Sequence, residues 1–151
     1  MSEKLDKSEL MPQIASYCSS CHQQIKMEVG QAAIALHLRW YVAYTCSYCQ
    51  TAVEMDDTGF PPDEVRNIIL SGEGKWEQVI KRSHLNKVAA IKILRQALNL
   101  SLAEAGRLLK NFPNSLISGT KTEMEWLKLL LATDKIEALV VRQNGDDILP
   151  S

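Results

Sequence analysis

Two hydrophobic periodicities run along the chain: an alternation of apolar and polar residues in its first third, and a recurrence every three to four residues in its second half. They predict different elements. From Ala33 to Thr45, one face carries Ile34, Leu36, Leu38, Trp40, Val42 and Tyr44, and the other carries Ala35, His37, Arg39, Tyr41 and Ala43, the period of a strand. Ile25 to Val29 reads as a preceding strand with a turn at Gly30, and Ala52 to Met55 as a third strand. Further on, Ala90, Ile93, Leu94 and Ala97 recur at helical spacing within Lys87 to Leu98. Leu102, Ala105, Leu108 and Leu109 repeat the pattern after a break at Asn99 to Ser101. Asn tolerates a left-handed backbone and so ends the first helix, and Ser101 is a good N-cap with Glu104 three residues on. The result is a hairpin of two helices.

Other elements assemble around that hairpin. Trp76 to Lys81 reads as a strand. Phe112 and Pro113 end the second helix, and Lys121 to Ala132 forms a third whose buried face is Trp126, Leu127, Leu130 and Leu131, with Thr122 and Glu125 as a capping box. Ile136 to Arg142 closes the unit as a strand. Upstream, the run DDTGFPP from Asp56 to Pro62 marks a boundary. A short helix follows from Asp63 to Leu70, capped by Asp63, striped with Val65, Ile68 and Ile69 and closed by Gly72 and Gly74. It is expected to pack between two halves of the molecule. Residues 1–14 are expected to be a mobile tail that orders only near Ile14, and residues 143–151 a second tail.

The four cysteines, Cys18, Cys21, Cys46 and Cys49, stand as C-x2-C-x24-C-x2-C. Two residues between thiolates let both sulfurs face one ion at about 2.3 Å, and two such knuckles complete a tetrahedron. A single structural Zn2+ is the expected ligand, although ligand type alone also admits iron. Zinc with four thiolates carries two net negative charges. A redox-active CxxC belongs in a strand-to-helix setting that the pattern lacks, and a catalytic zinc needs an open position that four cysteines close. His22 stands next to Cys21 as an alternative ligand, but its position suits a surface residue; His37 and His84 read as structural. With the strands around the knuckles, residues 15–58 are expected to form a zinc ribbon, a small antiparallel sheet whose core needs the metal. Tyr17, Trp40, Tyr41, Tyr44 and Tyr48 form a possible base-stacking set, yet only Lys26 and Arg39 accompany them. A packed or protein-binding face therefore fits better than a nucleic-acid platform.

The run KVAAIKILRQALNLSLAEAGRLLKNFP, preceded by WEQVIKRSHLN and followed by NSLISGTKTEMEWLKLLLATDKIEALVVR, resembles the C-terminal domain of the bacterial ribosomal stalk protein. The likeness spans roughly residues 75–142 and implies a β-α-α-β-α-β domain. The whole chain is then α+β: a zinc ribbon, a linker with a short helix at residues 59–74, and the stalk-like domain. On the residues alone, Val88 and Ile91 lie on the flank of their helix away from the expected core, interleaved with Lys87, Lys92 and Arg95. Aliphatic anchors ringed by cations make a contact patch; the alternative is that both side chains pack against the rest of the chain. The resemblance adds that in the stalk family the positions matching Lys87, Val88, Ile91, Lys92 and Arg95 recognise elongation and initiation GTPases. The chain departs from the family at Asn99 and Ser101, where glycines are usual, and at Ala103 and Gly106, where lysines are frequent, so half of that docking surface is altered. It also has a ribbon in place of the stalk's dimerisation helices and hinge, so it is not a stalk protein.

Composition narrows function further. The chain has 151 residues, 46% hydrophobic and 23% charged, with net charge −1, ordinary for a soluble fold. That charge conceals an asymmetry: residues 74–142 hold 12 Lys or Arg against 6 Asp or Glu, whereas residues 1–73 hold 5 against 10. Such a dipole steers encounters with acidic surfaces or holds two halves together. No run is long enough to cross a bilayer and the start lacks the apolar core of a signal peptide, so a cytoplasmic location is expected. No nucleophile with a base, no phosphate-cradling glycine loop and no paired acids suggest an enzyme. Two functions are expected to compete: an adaptor engaging a translation GTPase or the ribosome, and an immunity protein that neutralises a toxin with a borrowed fold. Salt-sensitive nucleic-acid binding through the basic half trails both.

Overall fold

The alternating segment and its neighbours form a four-stranded antiparallel sheet in the order β1-β2-β3-β4, made of β1 (Gln13–Tyr17), β2 (Gln24–Ile34), β3 (His37–Thr45) and β4 (Ala52–Thr58). The computed structural model describes residues 13–80, 86–110 and 117–143. The chain divides after Gly74 into two units, each described by itself below.

In the first unit, the expected turn at Gly30 is not there. β2 runs straight through that residue, and the chain reverses at Ala35 and Leu36, both left-handed with φ of 51° and 66°. Two successive positive φ values match the right-handed twist of the strands they join. Gly30 instead allows a close approach: it pairs with Tyr41 across the ladder, and the Tyr41 ring fills the place a Cβ would take. Residues 13 and 14 belong to β1 rather than to a tail, because Ile14 pairs with Met27 and packs against the core. The remaining residues of that expected tail lie outside the described residues.

Val29 and Val42, opposite one another in the ladder, form a core with Val65 and Ile69 of α1 (Asp63–Glu73). The apolar stripe of α1 therefore covers its own sheet, and the helix belongs to the first unit. Asp63 does not cap it. The N-cap is Pro62, held at φ −56° in extended backbone with no side-chain cap bond, and Asp63 and Glu64 follow in the first turn, where carboxylates favour the positive end of the helix. Gly72 is inside the helix, which stops at Gly74 with φ 89°.

The second unit runs β5 (Trp76–Ile80), α2 (Lys87–Leu98), α3 (Leu102–Lys110), β6 (Ile117–Gly119), α4 (Lys121–Ala132) and β7 (Ala138–Arg142), with β5 central in an antiparallel sheet of order β6-β5-β7. Ala90, Ile93 and Leu94 of α2, Ala105 and Leu109 of α3, and Met124, Trp126, Leu127 and Leu131 of α4 are buried. Asn99 ends α2 in the left-handed region (φ 56°). Ser101 and Glu104 close a reciprocal box at the start of α3, at 2.8 and 3.1 Å.

Three expectations shift here. Leu102 is 60% exposed instead of buried, because the first residue of α3 projects beyond its packed face. The capping box of α4 is Thr120 with Glu123, not Thr122 with Glu125, because the helix starts directly after the last paired residue of β6. Finally, β7 begins at Ala138; Ile136 is buried in the turn before it, with its N–H donated to Leu131. Lys81, His84, Phe112, Pro113 and the tail after Gln143 lie outside the described residues. One core position has no apolar logic. Gln78, central in β5 between Ile117 and Val140, is fully buried, and neither amide atom has a hydrogen-bond partner among the described residues.

Candidate metal centre

The loop between β1 and β2 and the loop between β3 and β4 have the same construction. In the first, Cys18 N donates to Gln23 O and His22 N to Cys18 O, both at 2.9 Å. In the second, Cys46 N donates to Thr51 O and Gln50 N to Cys46 O, both at 2.8 Å. The residue after each second cysteine is left-handed, His22 at φ 64° and Gln50 at φ 67°. This is the conformation that turns the chain back on itself once both sulfurs have been presented. His22 is thus a turn residue, exposed, and the cluster of ligand atoms consists of the four cysteines without it.

All four sulfurs lie within 4.8 Å of one another. Cys18 Sγ is 3.6 Å from Cys49 Sγ, and Cys21 Sγ is 3.6 Å from Cys46 Sγ. Four thiolates about 2.3 Å from one ion stand about 3.8 Å apart along a tetrahedron edge, so the donor set fits a metal ion held by four cysteines. None of the four is in a disulfide. Cys18 and Cys46 are buried, Cys21 is half-buried and Cys49 is exposed.

Surrounding groups orient the set. The Tyr44 hydroxyl on β3 accepts from Ser19 N at 3.1 Å and lies 3.2 Å from Ser19 Oγ, tying the first knuckle to the sheet. Ser20 N–H points at Cys18 Sγ (3.4 Å), and the Thr51 hydroxyl is 3.1 Å from Cys49 Sγ. Main-chain hydrogen bonding from Cys21, then Ser20, against the cost of burial, lowers the Cys18 thiol to about 6. Thr51 lowers Cys49, through its hydroxyl and then its N–H. Cys21 goes the other way: the Gln23 N–H lowers it, but burial and the neighbouring sulfurs raise it more, to about 12. Four negative charges at this spacing repel unless a cation compensates, so the cluster without metal keeps some of its protons. A metal ion bound by such a set would displace those protons, so its affinity would rise with pH. The cysteine spacing marks the cluster in the sequence, whereas Tyr44 and Thr51 carry no local signal.

Four of the other candidate residues come together on the helical hairpin. Lys87, Val88, Lys92 and Arg95 are exposed, Val88 at 78%, and Ile91 is half-buried. Val88, Ile91, Lys92 and Arg95 line a groove of about 520 Å³ together with Leu100 and Leu102. Lys87 lies one residue from that lining. Arg95 Nε donates to Leu100 O at 3.4 Å, and the Leu100 N–H returns to Arg95 O at 3.2 Å, tying the guanidinium to the turn that forms one wall.

No family model, curated protein or solved structure matches the chain. Among the described residues, no helix is long and apolar enough to cross a membrane.

Proposed function

We propose that this chain is a non-catalytic zinc-ribbon adaptor of the cytoplasm, whose stalk-like second unit captures a protein partner through the groove between α2 and α3. The observation that carries the reading is Val88, an aliphatic side chain 78% exposed beside Ile91, Lys92 and Arg95 in one groove. Apolar anchors with cations at the rim suit an acidic protein surface: burial supplies affinity, and charge supplies encounter rate and orientation. The partner class we favour is a translation GTPase or the ribosome. Two things support it: the residue types at Lys87, Val88, Ile91, Lys92 and Arg95, and the β-α-α-β-α-β order of the second unit, which is the order expected of a stalk C-terminal domain. The ribbon unit, with one structural Zn2+ on Cys18, Cys21, Cys46 and Cys49, is the scaffold that replaces the stalk's anchoring helices.

The test is capture of purified translation GTPases and of ribosomes by the full chain, compared with Lys92→Glu/Arg95→Glu and with Val88→Asp. The adaptor reading expects binding that weakens with salt and falls at least tenfold in both variants. Binding that ignores both substitutions, or no binding to either target, refutes it and leaves the neutralising protein, whose partner is a toxin, as the reading to pursue.

A further inference from the structure

The four cysteines of the cluster are unequally accessible. Two sulfur contacts of 3.6 Å, Cys18 with Cys49 and Cys21 with Cys46, each join one knuckle to the other. Each also joins a buried cysteine to a more accessible one: Cys18 to exposed Cys49, and Cys46 to half-buried Cys21. An oxidant arriving from solvent therefore meets one member of each pair while the other waits within contact distance. That is the arrangement of a reacting and a resolving thiol. Both knuckles are also closed by their own main-chain hydrogen bonds, so their shape does not rest on the metal alone.

We infer that the centre is a peroxide-sensitive switch, in which oxidation joins Cys18 to Cys49 and Cys21 to Cys46 and releases the metal. The inference rests on the metal-centre reading proposed above. The Cys49 sulfur attacks one oxygen of hydrogen peroxide; the S–O bond forms as the O–O bond breaks, and the departing hydroxide takes a proton and becomes water. The Cys18 sulfur then displaces hydroxide from the sulfenic sulfur, the S–S bond forms, and a second water results. Cys21 and Cys46 repeat the sequence. Each disulfide gives two electrons to one peroxide molecule. Four thiolate charges disappear, and the cation is left without donors. Each sulfur pair has to close from 3.6 Å to about 2.05 Å, a movement within reach of side-chain rotation. A dithiol reductant reverses the change by thiol–disulfide exchange.

The experiment uses the full chain as purified. Metal content is measured first, then hydrogen peroxide is added while released zinc is followed with a chromogenic chelator and free thiols are counted. Disulfides are mapped by non-reducing digestion and mass spectrometry. The switch predicts release of one zinc per chain, loss of all four thiols, peptides linked only as Cys18–Cys49 and Cys21–Cys46, and recovery of metal binding after dithiothreitol and zinc. Links within a knuckle, Cys18–Cys21 or Cys46–Cys49, overturn it. So do irreversible sulfinic acids, or thiols that resist peroxide. A chain that carries no metal at the outset refutes the metal centre itself, a separate failure, and the linkage map then still decides the pairing.

Discussion

Replacing Gln78 with Met is expected to make the second unit more stable, although it removes a polar residue from the middle of a sheet. The side chain is fully buried on the central strand β5, flanked in the ladder by Ile117 and Val140, and both amide atoms lack partners among the described residues. A buried amide stripped of water without replacement bonds costs about 1–3 kcal/mol. Met has nearly the same length and shape and no such requirement, so packing is kept and overpacking is avoided. The expected gain is therefore about 1–3 kcal/mol, and each kcal/mol corresponds to roughly 4–8 °C in a unit of this size. Hydrogen exchange read by mass spectrometry on peptides covering Trp76–Ile80 measures opening of this unit without interference from the other. Slower exchange by about fivefold or more in Gln78→Met supports the reasoning. Faster exchange refutes it and means that the amide is bonded in solution, with Gln78→Leu expected to follow the same direction.

Three further outcomes follow from single contacts. Thr120→Ala removes the hydroxyl that accepts from Glu123 N at 3.1 Å and is expected to cost about 1–2 kcal/mol, read by chemical denaturation; Thr120→Ser should restore most of it. The Ser101 main-chain N–H, then the Ser101 hydroxyl, hold the Glu104 carboxyl below its ordinary 4.5. The cap it forms on α3 is thus fully present above about pH 4.5 and is lost as pH falls through the lower folded value. An NMR titration of the Ser101 amide should show this step, and Glu104→Gln should remove it. Gly30→Ala places a methyl where the Tyr41 ring lies, so the ring swings outward. Nitration of Tyr41 should quicken while stability falls by roughly 1 kcal/mol or less; an unchanged nitration rate would contradict the close approach.

Much of the second unit was legible because its determinants are local. The apolar spacing of α2, the left-handed Asn99 and the Ser101–Glu104 box each operate within a few residues. The four-cysteine cluster was legible for a similar reason, since a C-x2-C spacing reflects the turn that presents two sulfurs together. What escaped depends on partners distant in sequence. β1 exists because Ile14 finds Met27, and the hairpin turns at Ala35–Leu36 because the ladder from Glu28–Ala43 to Ile34–His37 fixes its end. Gly30, the residue that looked like the turn, answers to a ring eleven residues later. Thr120 was displaced by Thr122 as the expected cap because periodicity alone does not say where β6 stops. The exposure of Leu102 depends on where α3 meets α2, which its own pattern does not specify.

The main-chain closure of the two knuckles divides their residues by duty. Hydrogen bonds between backbone atoms set each loop's shape, and the position after each second cysteine, His22 or Gln50, carries the left-handed backbone. Ser20, Ser47 and Tyr48 point outward and take no part in that closure with their side chains. These three positions form a rewritable tip: their chemistry can drift, or be randomised in a library, while the loop beneath stays in shape. A lineage with this scaffold could thus change what it touches at that end without relearning how to fold.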